Sequence, residues 1–433
     1  MPLTDYVTLG RSGLRVSPHC LGTMTFGLDW GWGSTPEESF AILDRFVERG
    51  GNFLDTANIY TKGHSECIIG DWIKARSARS SHHGGAHGVN FRDRLVVASK
   101  FMGNLYPGDP NGGGASRKAV IQQCEQSLRR LGLDTIDLYW MHFHDRHTPI
   151  EETMRALDDL VRAGKVRYIG FSDTPAWICA HAQTIADFRG WAPLVALQIE
   201  YSLAERSVEG DLIPMAVEMG LGVTPWSPLR GGVLTGKYTR ADAQKAAAGQ
   251  AITTEDGGGG RGAWVANHLT DRNFRIIDEL RAIAADLKTT PAHVALAWVQ
   301  QRPGVAPGSV HTGLGARSST HGIGGGGGGG SVIIGARTLK QLDDNLDALN
   351  LQLSPEQSAR LDEVSRPTLS FPHDFLRFTV NNTQGGATIN HLKGNEAAVL
   401  LGDYLISHSY HLCSSLDSQF AARAIAATTN RLC

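Results

Sequence analysis

Residues 136–172 read IDLYWMHFHDRHTPIEETMRALDDLVRAGKVRYIGFS and contain one complete strand–helix–strand unit. An apolar run, 136–142, is followed by a polar turn and then by Thr148–Glu151, which has the form of a capping box with proline at the first helical position. An amphipathic pattern continues to Ala163, Gly164 lies where a helix C-cap belongs, and a second apolar run ends at Ser172. Two strands joined through a helix in this way are expected to lie parallel in one sheet.

The same unit recurs along the chain. Eight short apolar runs are predicted as strands: His19–Thr23, Asn52–Ala57, Leu95–Phe101, Ile136–His142, Tyr168–Ser172, Val195–Tyr201, Gly222–Ser227 and Val332–Ala336. Amphipathic patterns between them are predicted as helices: Pro36–Arg49, Glu66–Arg76, Arg117–Leu131, Pro149–Ala163, Ala176–Phe188, Gly210–Glu218, Arg272–Leu287 and Pro291–Gln301. Eight strands that alternate with helices predict an α/β protein with a parallel (β/α)8 TIM barrel, and the alternative is an open doubly wound sheet.

Further turn and capping signals support this prediction. Tyr6–Thr8 and Leu14–Val16 flank the turn sequence GRSG, which predicts an N-terminal β-hairpin cap ahead of the first barrel strand. Thr35–Glu38 and Ser354–Gln357 are predicted to be capping boxes.

Three segments do not follow the strand–helix pattern. Residues 77–90 (SARSSHHGGAHGVN) are small, polar and rich in histidine and glycine, and residues 305–331 contain seven consecutive glycines. Such segments bury too little apolar surface to offset their ordering entropy, so both are predicted to be flexible inserts on helix-to-strand connections, opposite the active-site face. The sequence predicts one barrel domain over residues 1–380 and an atypical tail over 381–433 that is a candidate for disorder.

Composition excludes several classes of function. The 41 Lys and Arg nearly balance the 43 Asp and Glu, which argues against a nucleic-acid or membrane-surface partner. The N-terminus has no secretory pattern, and no apolar run is long enough to cross a bilayer. None of the six cysteines forms a CxxC pair, so we expect reduced thiols and a cytoplasmic location. The sequence leaves the oligomeric state open.

Polar or aromatic side chains are predicted at the carboxyl ends of the strands, where barrel enzymes carry their active sites. Asp55 follows the second strand, and Tyr60 lies five residues further on. The third strand ends at Lys100 and the fourth at His142. The remaining ends carry Ser172 and Asp173, Gln198 and Tyr201, Trp226 and Ser227, and Arg337.

The chain resembles the aldo-keto reductases, most closely the microbial type related to potassium-channel β subunits. The resemblance covers about residues 6–367 apart from the two inserts. It rests on LGTMTFG (21–27), NFLDTANIY (52–60), VVASKF (96–101), IDLYWMH (136–142), GKVRYIGFSD (164–173), LQIEYS (197–202), GVTPWSPLRGGVLTGKY (222–238) and VIIGARTLKQLDDN (332–345).

The resemblance implies reduction of aldehydes or ketones to alcohols with NADPH, and it implies four catalytic residues. Tyr60 would give a proton to the carbonyl oxygen, with Lys100 and Asp55 as its supporting pair, and His142 would orient the carbonyl. A free tyrosine has a pKa of about 10. We expect the nearby ammonium of Lys100 to lower the pKa of Tyr60 toward working pH.

The resemblance also implies a cofactor site for NADPH or NADP+. Trp226 would stack on the nicotinamide, Asp173 replaces a more usual asparagine, and Arg337 would contact the 2′-phosphate. The matching positions are Gly22, Thr23, Met24, Asp55, Ser172, Asp173, Gln198, Trp226, Ser227, Pro228, Leu229, Gly231, Lys237, Gly335, Arg337, Gln341 and Asn345.

Rival interpretations remain. His142 and His144 have the spacing of metal ligands on a strand, but no further ligands are predicted at neighbouring strand ends, so no metal is expected. Residues 231–238 nearly match a P-loop, with Tyr238 in place of the required Ser or Thr, and the GxGxxG match at 322–327 lies within polyglycine. A non-catalytic NADPH-binding redox sensor or partner subunit of the same fold is the second hypothesis.

Overall fold

Eight parallel strands form the central sheet of the chain, seen in a computed structural model that describes residues 2–82, 90–250, 265–309 and 328–376. The strands are β3 (His19–Gly22), β4 (Phe53–Asp55), β5 (Val96–Phe101), β6 (Ile136–Met141), β7 (Val166–Ser172), β8 (Leu194–Glu200), β9 (Gly222–Trp226) and β10 (Val332–Gly335). Their order is β10-β3-β4-β5-β6-β7-β8-β9, and β10 lies beside β9, so the sheet curls into a nearly closed barrel. The predicted (β/α)8 barrel is confirmed, and the open doubly wound sheet is excluded.

Helices surround the barrel and follow the strands in chain order. In the described residues they are α1 (Pro36–Glu48), α2 (His64–His82), α3 (Arg117–Leu131), α4 (Ile150–Arg162), α5 (Ala176–Arg189), α6 (Leu212–Met219), α7 (Arg240–Ala247), α8 (Asp271–Leu287), α9 (Pro291–Gln300), α10 (Leu339–Asp347) and α11 (Pro355–Val364). The capping boxes predicted at Thr35 and Ser354 are confirmed. The one predicted at Thr148 is wrong, because α4 has no side-chain cap and the Thr148 hydroxyl donates instead to Asp145 Oδ2 at 2.7 Å.

The predicted N-terminal hairpin is confirmed. Its strands β1 (Val7–Thr8) and β2 (Arg15–Val16) pair antiparallel, with Val7 opposite Val16. Their apolar side chains join the cluster inside the barrel, together with Cys20, Phe53 and Trp140. The hairpin therefore covers the amino-terminal end of the barrel and leaves the carboxyl ends of the strands open.

Close packing inside the barrel explains one glycine of the sequence. A Cβ atom on Gly170 would lie 2.4 Å from Cζ3 of Trp140, far closer than carbon atoms approach. Gly170 is therefore the residue that lets the large indole of the neighbouring strand β6 lie within the barrel.

The two predicted inserts are more structured at their edges than expected. Helix α2 continues to His82, so the first part of segment 77–90 is helical, and residues 83–89 lie outside the described residues. In segment 305–331, the backbone N–H of Gly330 donates to Val305 O at 3.0 Å, and that of Gly329 donates to Thr8 O at 2.9 Å. Glycine fits there because a Cβ on Gly330 would lie 1.7 Å from Val223 O. Residues 310–327, including the GxGxxG match, lie outside the described residues.

The chain divides into two compact units, residues 1–367 and 368–433. This division falls at Pro367, near the end of the resemblance, and the predicted bounds of the barrel domain, residues 1–380, stay a prediction. Within the described part of the second unit, the backbone N–H of Leu369 donates to Asp374 Oδ2 at 3.0 Å, and the predicted tail 381–433 lies outside the described residues. No helix in the part of the chain that the structure describes is long and apolar enough to cross a membrane.

Candidate active site

Strained backbone marks the open end of the barrel. Among the residues that the structure describes, seven that are not glycine have positive φ. Six of them lie in loops that follow the carboxyl ends of strands: Thr61, Lys62, Met102, Asp173, Ser227 and Arg230. A non-glycine residue in this region costs free energy, and such residues cluster at functional sites. The concentration at one end of the barrel agrees with the predicted location of the active site.

The side chain of Lys100 is the centre of a buried polar group inside the barrel. Its Nζ donates to Asp55 Oδ2 at 2.5 Å and to the Tyr60 hydroxyl at 3.0 Å. A third bond runs from Nζ to the backbone oxygen of Thr56 at 2.9 Å. Lys100 is fully buried and Asp55 is 1% exposed, whereas Tyr60 is partly exposed. The ammonium thus has three acceptors within the barrel, and the phenol faces the open end.

The pKa of Tyr60 differs from the sequence expectation. Desolvation raises the pKa of the Tyr60 hydroxyl above 10, and this outweighs the opposing effect of the Lys100 ammonium. The Lys100 charge does lower the pKa of Tyr60, as predicted. The prediction that the pKa of Tyr60 lies below its usual value is nevertheless wrong, because desolvation has the larger effect. The result keeps Tyr60 protonated at neutral pH, which is the form that a proton donor requires.

His142 lies next to this group. Its ring centroid is 5.7 Å from that of Tyr60, with the two rings nearly perpendicular. Burial, with a smaller contribution from the Lys100 charge, lowers the pKa of His142 to about 3. The imidazole is therefore neutral at physiological pH, and its buried Nδ1 has no hydrogen-bond partner among the described residues. A neutral imidazole can donate a hydrogen bond to a carbonyl oxygen without adding charge.

Asn58 is a buried residue beside the candidate site that the sequence argument missed. Its Nδ2 donates to Gly103 O at 2.9 Å and to Gln123 Oε1 at 3.0 Å, and the same Gln123 oxygen accepts from the backbone of Met102. These bonds connect the turn that carries Tyr60 to the residues that follow Lys100. The available signal was its place in NFLDTANIY, three residues after Asp55 and two before Tyr60.

Ser172 and Gln198 lie side by side at the ends of β7 and β8. Gln198 Nε2 donates to Asp55 Oδ1 at 2.9 Å, which connects β8 to the buried polar group. Ser172 Oγ is buried and has no partner among the described residues. An unpaired buried hydroxyl needs a partner, and a carboxamide such as that of nicotinamide could supply one. The residues present therefore fit the predicted cofactor at this point.

Trp226 and Asp173 contact one another across the same opening. The indole Nε1 of Trp226 donates to Asp173 Oδ1 at 3.0 Å. Trp226 keeps part of its ring exposed at the end of β9, where it offers a flat surface for stacking.

The loop after β9 brings several predicted cofactor residues together. Ser227 has φ of 52°, and its Oγ accepts from the backbone N–H of Gly231 at 3.1 Å. A Cβ on Gly232 would lie 3.8 Å from Lys237 Nζ, so the lysine ammonium lies over this glycine turn. Backbone N–H groups in such a turn, with a nearby ammonium, can hold phosphate oxygens. Pro228 and Leu229 lie between Trp226 and the turn.

A second loop, after β10, contains the residues predicted for the adenosine end. The backbone N–H of Arg337 donates to Gln341 Oε1 at 3.0 Å, and Asn345 Nδ2 donates to Gly335 O at 3.0 Å. Both amides therefore stabilise the turn that presents the partly exposed Arg337. Their contact with a nucleotide stays a prediction.

The remaining predicted cofactor residues follow β3. Gly22 pairs with Asp55 and with Gly335 of the neighbouring strands. Thr23 is buried, and its hydroxyl donates to Asp55 O at 3.0 Å, whereas Met24 is 39% exposed. Thr23 thus stabilises the contact between β3 and β4, whereas the exposed side chain of Met24 is available to a ligand.

The rival sites find little support in the described residues. The near-match to a P-loop, 231–238, overlaps a 3₁₀ turn over Arg230–Thr235, and the next α-helix begins only at Arg240. No group of three His, Cys, Asp or Glu in the described ranges could hold a metal ion around His142 and His144 or elsewhere.

Comparison with known proteins agrees with this geometry. The sequence profile of the Aldo/keto reductase family matches residues 19–366, so the chain belongs to that family. An uncharacterized oxidoreductase, YrpG, of Bacillus subtilis is 34% identical over 83% of this chain and 95% of its own length. The aryl-alcohol dehydrogenase [NADP(+)] of Phanerodontia chrysosporium is 33% identical over 83% of this chain and 86% of its own length. The norsolorinic acid reductase of Aspergillus flavus is 32% identical over 84% of this chain and 82% of its own length. These relatives are oxidoreductases, and the chain is accordingly an oxidoreductase.

Proposed function

We propose that the protein reduces aldehydes and ketones to alcohols with NADPH, with Tyr60 as the proton donor. The observation that carries the proposal is the hydrogen-bonded set of Asp55, Lys100 and Tyr60 beside the neutral ring of His142. NADPH would supply the hydride when bound. NADP(H) use is supported by the NADP(+) in the name of the aryl-alcohol dehydrogenase relative.

Each of these side chains has a role in the proposal. The Tyr60 hydroxyl donates its proton to the carbonyl oxygen as negative charge develops there. Lys100, 3.0 Å from that hydroxyl, stabilises the phenolate that remains, and Asp55 holds the ammonium in place. His142 orients the carbonyl by hydrogen bonding. Ser172, Gln198 and Trp226 hold the nicotinamide ring of NADPH. Lys237 binds the pyrophosphate of the dinucleotide, and Arg337 binds its 2′-phosphate.

Aromatic carbonyl compounds are the proposed substrates. Phe143 is 43% exposed, and its ring centroid is 5.7 Å from that of His142. An aromatic ring at this place offers a stacking surface to an aryl group whose carbonyl lies between Tyr60 and His142. The aryl-alcohol dehydrogenase relative supports the same substrate class. The proposal includes a cytoplasmic location, a small-molecule partner rather than nucleic acid or membrane, and no metal ion.

A carbonyl panel tests the proposal. NADPH consumption is followed with benzaldehyde-type substrates and with aliphatic aldehydes of similar size, with and without a chelator. We expect turnover on the aryl compounds, unaffected by the chelator. If the protein binds NADPH and reduces no member of the panel, the non-catalytic sensor or partner subunit becomes the better interpretation.

A further inference from the structure

Asp173 is held in place by several constraints at the edge of the active site. Its Oδ1 accepts the hydrogen bond from Trp226 Nε1 at 3.0 Å, and its backbone N–H donates to Gln198 O at 3.1 Å. Its φ of 39° places the backbone in the left-handed region. The preceding residue is Ser172, whose buried hydroxyl has no partner among the described residues. The carboxylate therefore has a fixed position beside the proposed nicotinamide subsite.

The charge of Asp173 acts on the proposed catalytic residues, and within the described ranges no cation forms an ion pair with it. Lys100 is bonded to Asp55, and Glu200 at the end of β8 is paired with Arg230. The side-chain partner that the structure gives Asp173 is the neutral indole of Trp226. Electrostatic interaction connects Asp173 with Tyr60, Lys100 and Glu200. A negative charge that is not neutralised locally acts on whatever binds next to it.

We propose that Asp173 is a positioning residue that orients Trp226 and makes the cofactor site favour the oxidised form of the nicotinamide. The inference rests on the NADP(H) site of the proposed function. The oxidised ring carries a positive charge that the reduced ring lacks, so a fixed carboxylate attracts the oxidised form selectively. Asparagine at this position would offer the same acceptor to Trp226 without the charge.

The carboxylate is ionised under ordinary conditions. Desolvation in the cleft raises the pKa of Asp173 to about 6, opposed by the Trp226 hydrogen bond and the Lys100 charge. At a pH well above this value the group carries its full negative charge. Binding measurements made there test the charge directly.

The test separates the charge of Asp173 from its hydrogen bond. Asp173→Asn removes the charge and keeps the acceptor, and asparagine tolerates the left-handed backbone. Asp134→Asn removes an equal charge from an exposed position ahead of β6, at the opposite end of the barrel. Each protein is titrated with NADP+ and with NADPH, and dissociation constants are taken from the quenching of tryptophan fluorescence.

We expect Asp173→Asn to raise the ratio of the NADP+ to the NADPH dissociation constant roughly three- to tenfold, the size of effect for one nearby, partly screened charge. Asp134→Asn should leave the ratio unchanged. Asp173→Ala also removes the acceptor, so it should weaken both forms in addition to shifting the ratio. Thermal unfolding of each variant shows that the fold is retained.

An unchanged ratio in Asp173→Asn, or equal weakening of both forms, would overturn the inference, because a purely structural role moves both constants together. If the parent protein binds neither form, the proposed function itself fails. If the parent binds both and only the ratio fails to move, the proposed function stands and the role of Asp173 does not.

Discussion

The three hydrogen bonds of Lys100 show why this ammonium can lie buried. A buried charge is tolerated only where partners replace the lost water, and removal of one partner commonly costs about 3–5 kcal/mol. Asp55 and Thr56 supply two of these partners from the end of β4 and the residue after it, so they hold Nζ against the Tyr60 hydroxyl. Loss of Asp55 would therefore affect both stability and the position of the ammonium.

The proposed preference for NADPH over NADH rests on the partly exposed side chain of Arg337. If Arg337 pairs with the 2′-phosphate, Arg337→Ala should weaken NADPH binding by about 1.5–3 kcal/mol and NADH binding much less. Arg15→Ala, in the hairpin at the opposite end of the barrel, is the matched control. Fluorescence titration with each dinucleotide measures both constants. Equal weakening of NADPH and NADH would place the preference on another residue.

For individual side chains, the sequence identified the residues of the candidate site better than it identified their hydrogen bonds and pKa values. The motifs located Asp55, Tyr60, Lys100 and His142, and the structure brings them together. The pKa of Tyr60 was predicted in the wrong direction, because desolvation depends on burial that a motif does not display. The hydrogen bond from Asn58 to Gly103 joins segments 45 residues apart, so only the folded chain reveals it. The sequence assigned Gln341 to the nucleotide, whereas its Oε1 accepts from the nearby backbone N–H of Arg337.

Among the secondary-structure elements, the barrel strands were the most predictable. Their apolar runs are long enough and separated clearly enough to be read directly, and all eight were found. Helices α7, α10 and α11 were not predicted as helices, although the capping box at Ser354 marked the start of α11. Helix α7 buries no side chain, so its apolar pattern is weak. Helix α10 has leucines at helical spacing, at 339, 342 and 346, but it is only nine residues long.

Strand β3 gives a pH-dependent prediction through His19. This residue is fully buried, and burial lowers the pKa of His19 from 6.5 to about 3. Between pH 6.5 and about pH 3, His19 is protonated in the unfolded chain and neutral in the native state. The free energy of unfolding should therefore decrease as pH falls through this range. The slope contributed by one such group is at most about 1.4 kcal/mol per pH unit.

Urea unfolding at several pH values from 6.5 downward, on the parent and on His19→Gln, measures this contribution. Glutamine does not titrate, so the variant should show a shallower dependence on pH, whatever its absolute stability. Parallel curves for the two proteins would show that His19 does not titrate as described.

The two ends of the barrel differ in structure, and this difference is the main consequence of the fold. The strained loops and the proposed catalytic residues lie at the carboxyl ends of the strands, and the hairpin closes the amino-terminal end. The sequence predicted this arrangement because strand order and active-site location follow from the (β/α)8 topology. It did not predict that the edges of segment 305–331 are packed, because glycines that contact other residues through their backbone leave no apolar pattern.

Segment 305–331 leaves the barrel and returns at the same place, since Gly330 donates to Val305 O. Replacing residues 307–328 by a link of about four residues should therefore leave NADPH affinity unchanged and should not lower the melting temperature, because each halving of loop length recovers about 0.6 kcal/mol. Gly330→Ala is the contrasting variant and should lose stability, because its Cβ would meet Val223 O. A large loss of NADPH binding on replacement would assign the segment a functional role.

The most direct test of the proposed mechanism is single-turnover reduction by Tyr60→Phe, measured beside NADPH binding. The substitution keeps the ring that contacts His142 and removes only the hydroxyl that Lys100 holds. We predict that reduction of a carbonyl that the parent accepts falls by at least about 10²- to 10⁴-fold, the usual contribution of a general acid. NADPH affinity should hardly change, because the hydroxyl acts mainly in the transition state. Near-normal reduction by Tyr60→Phe would contradict the assignment of Tyr60 as the proton donor.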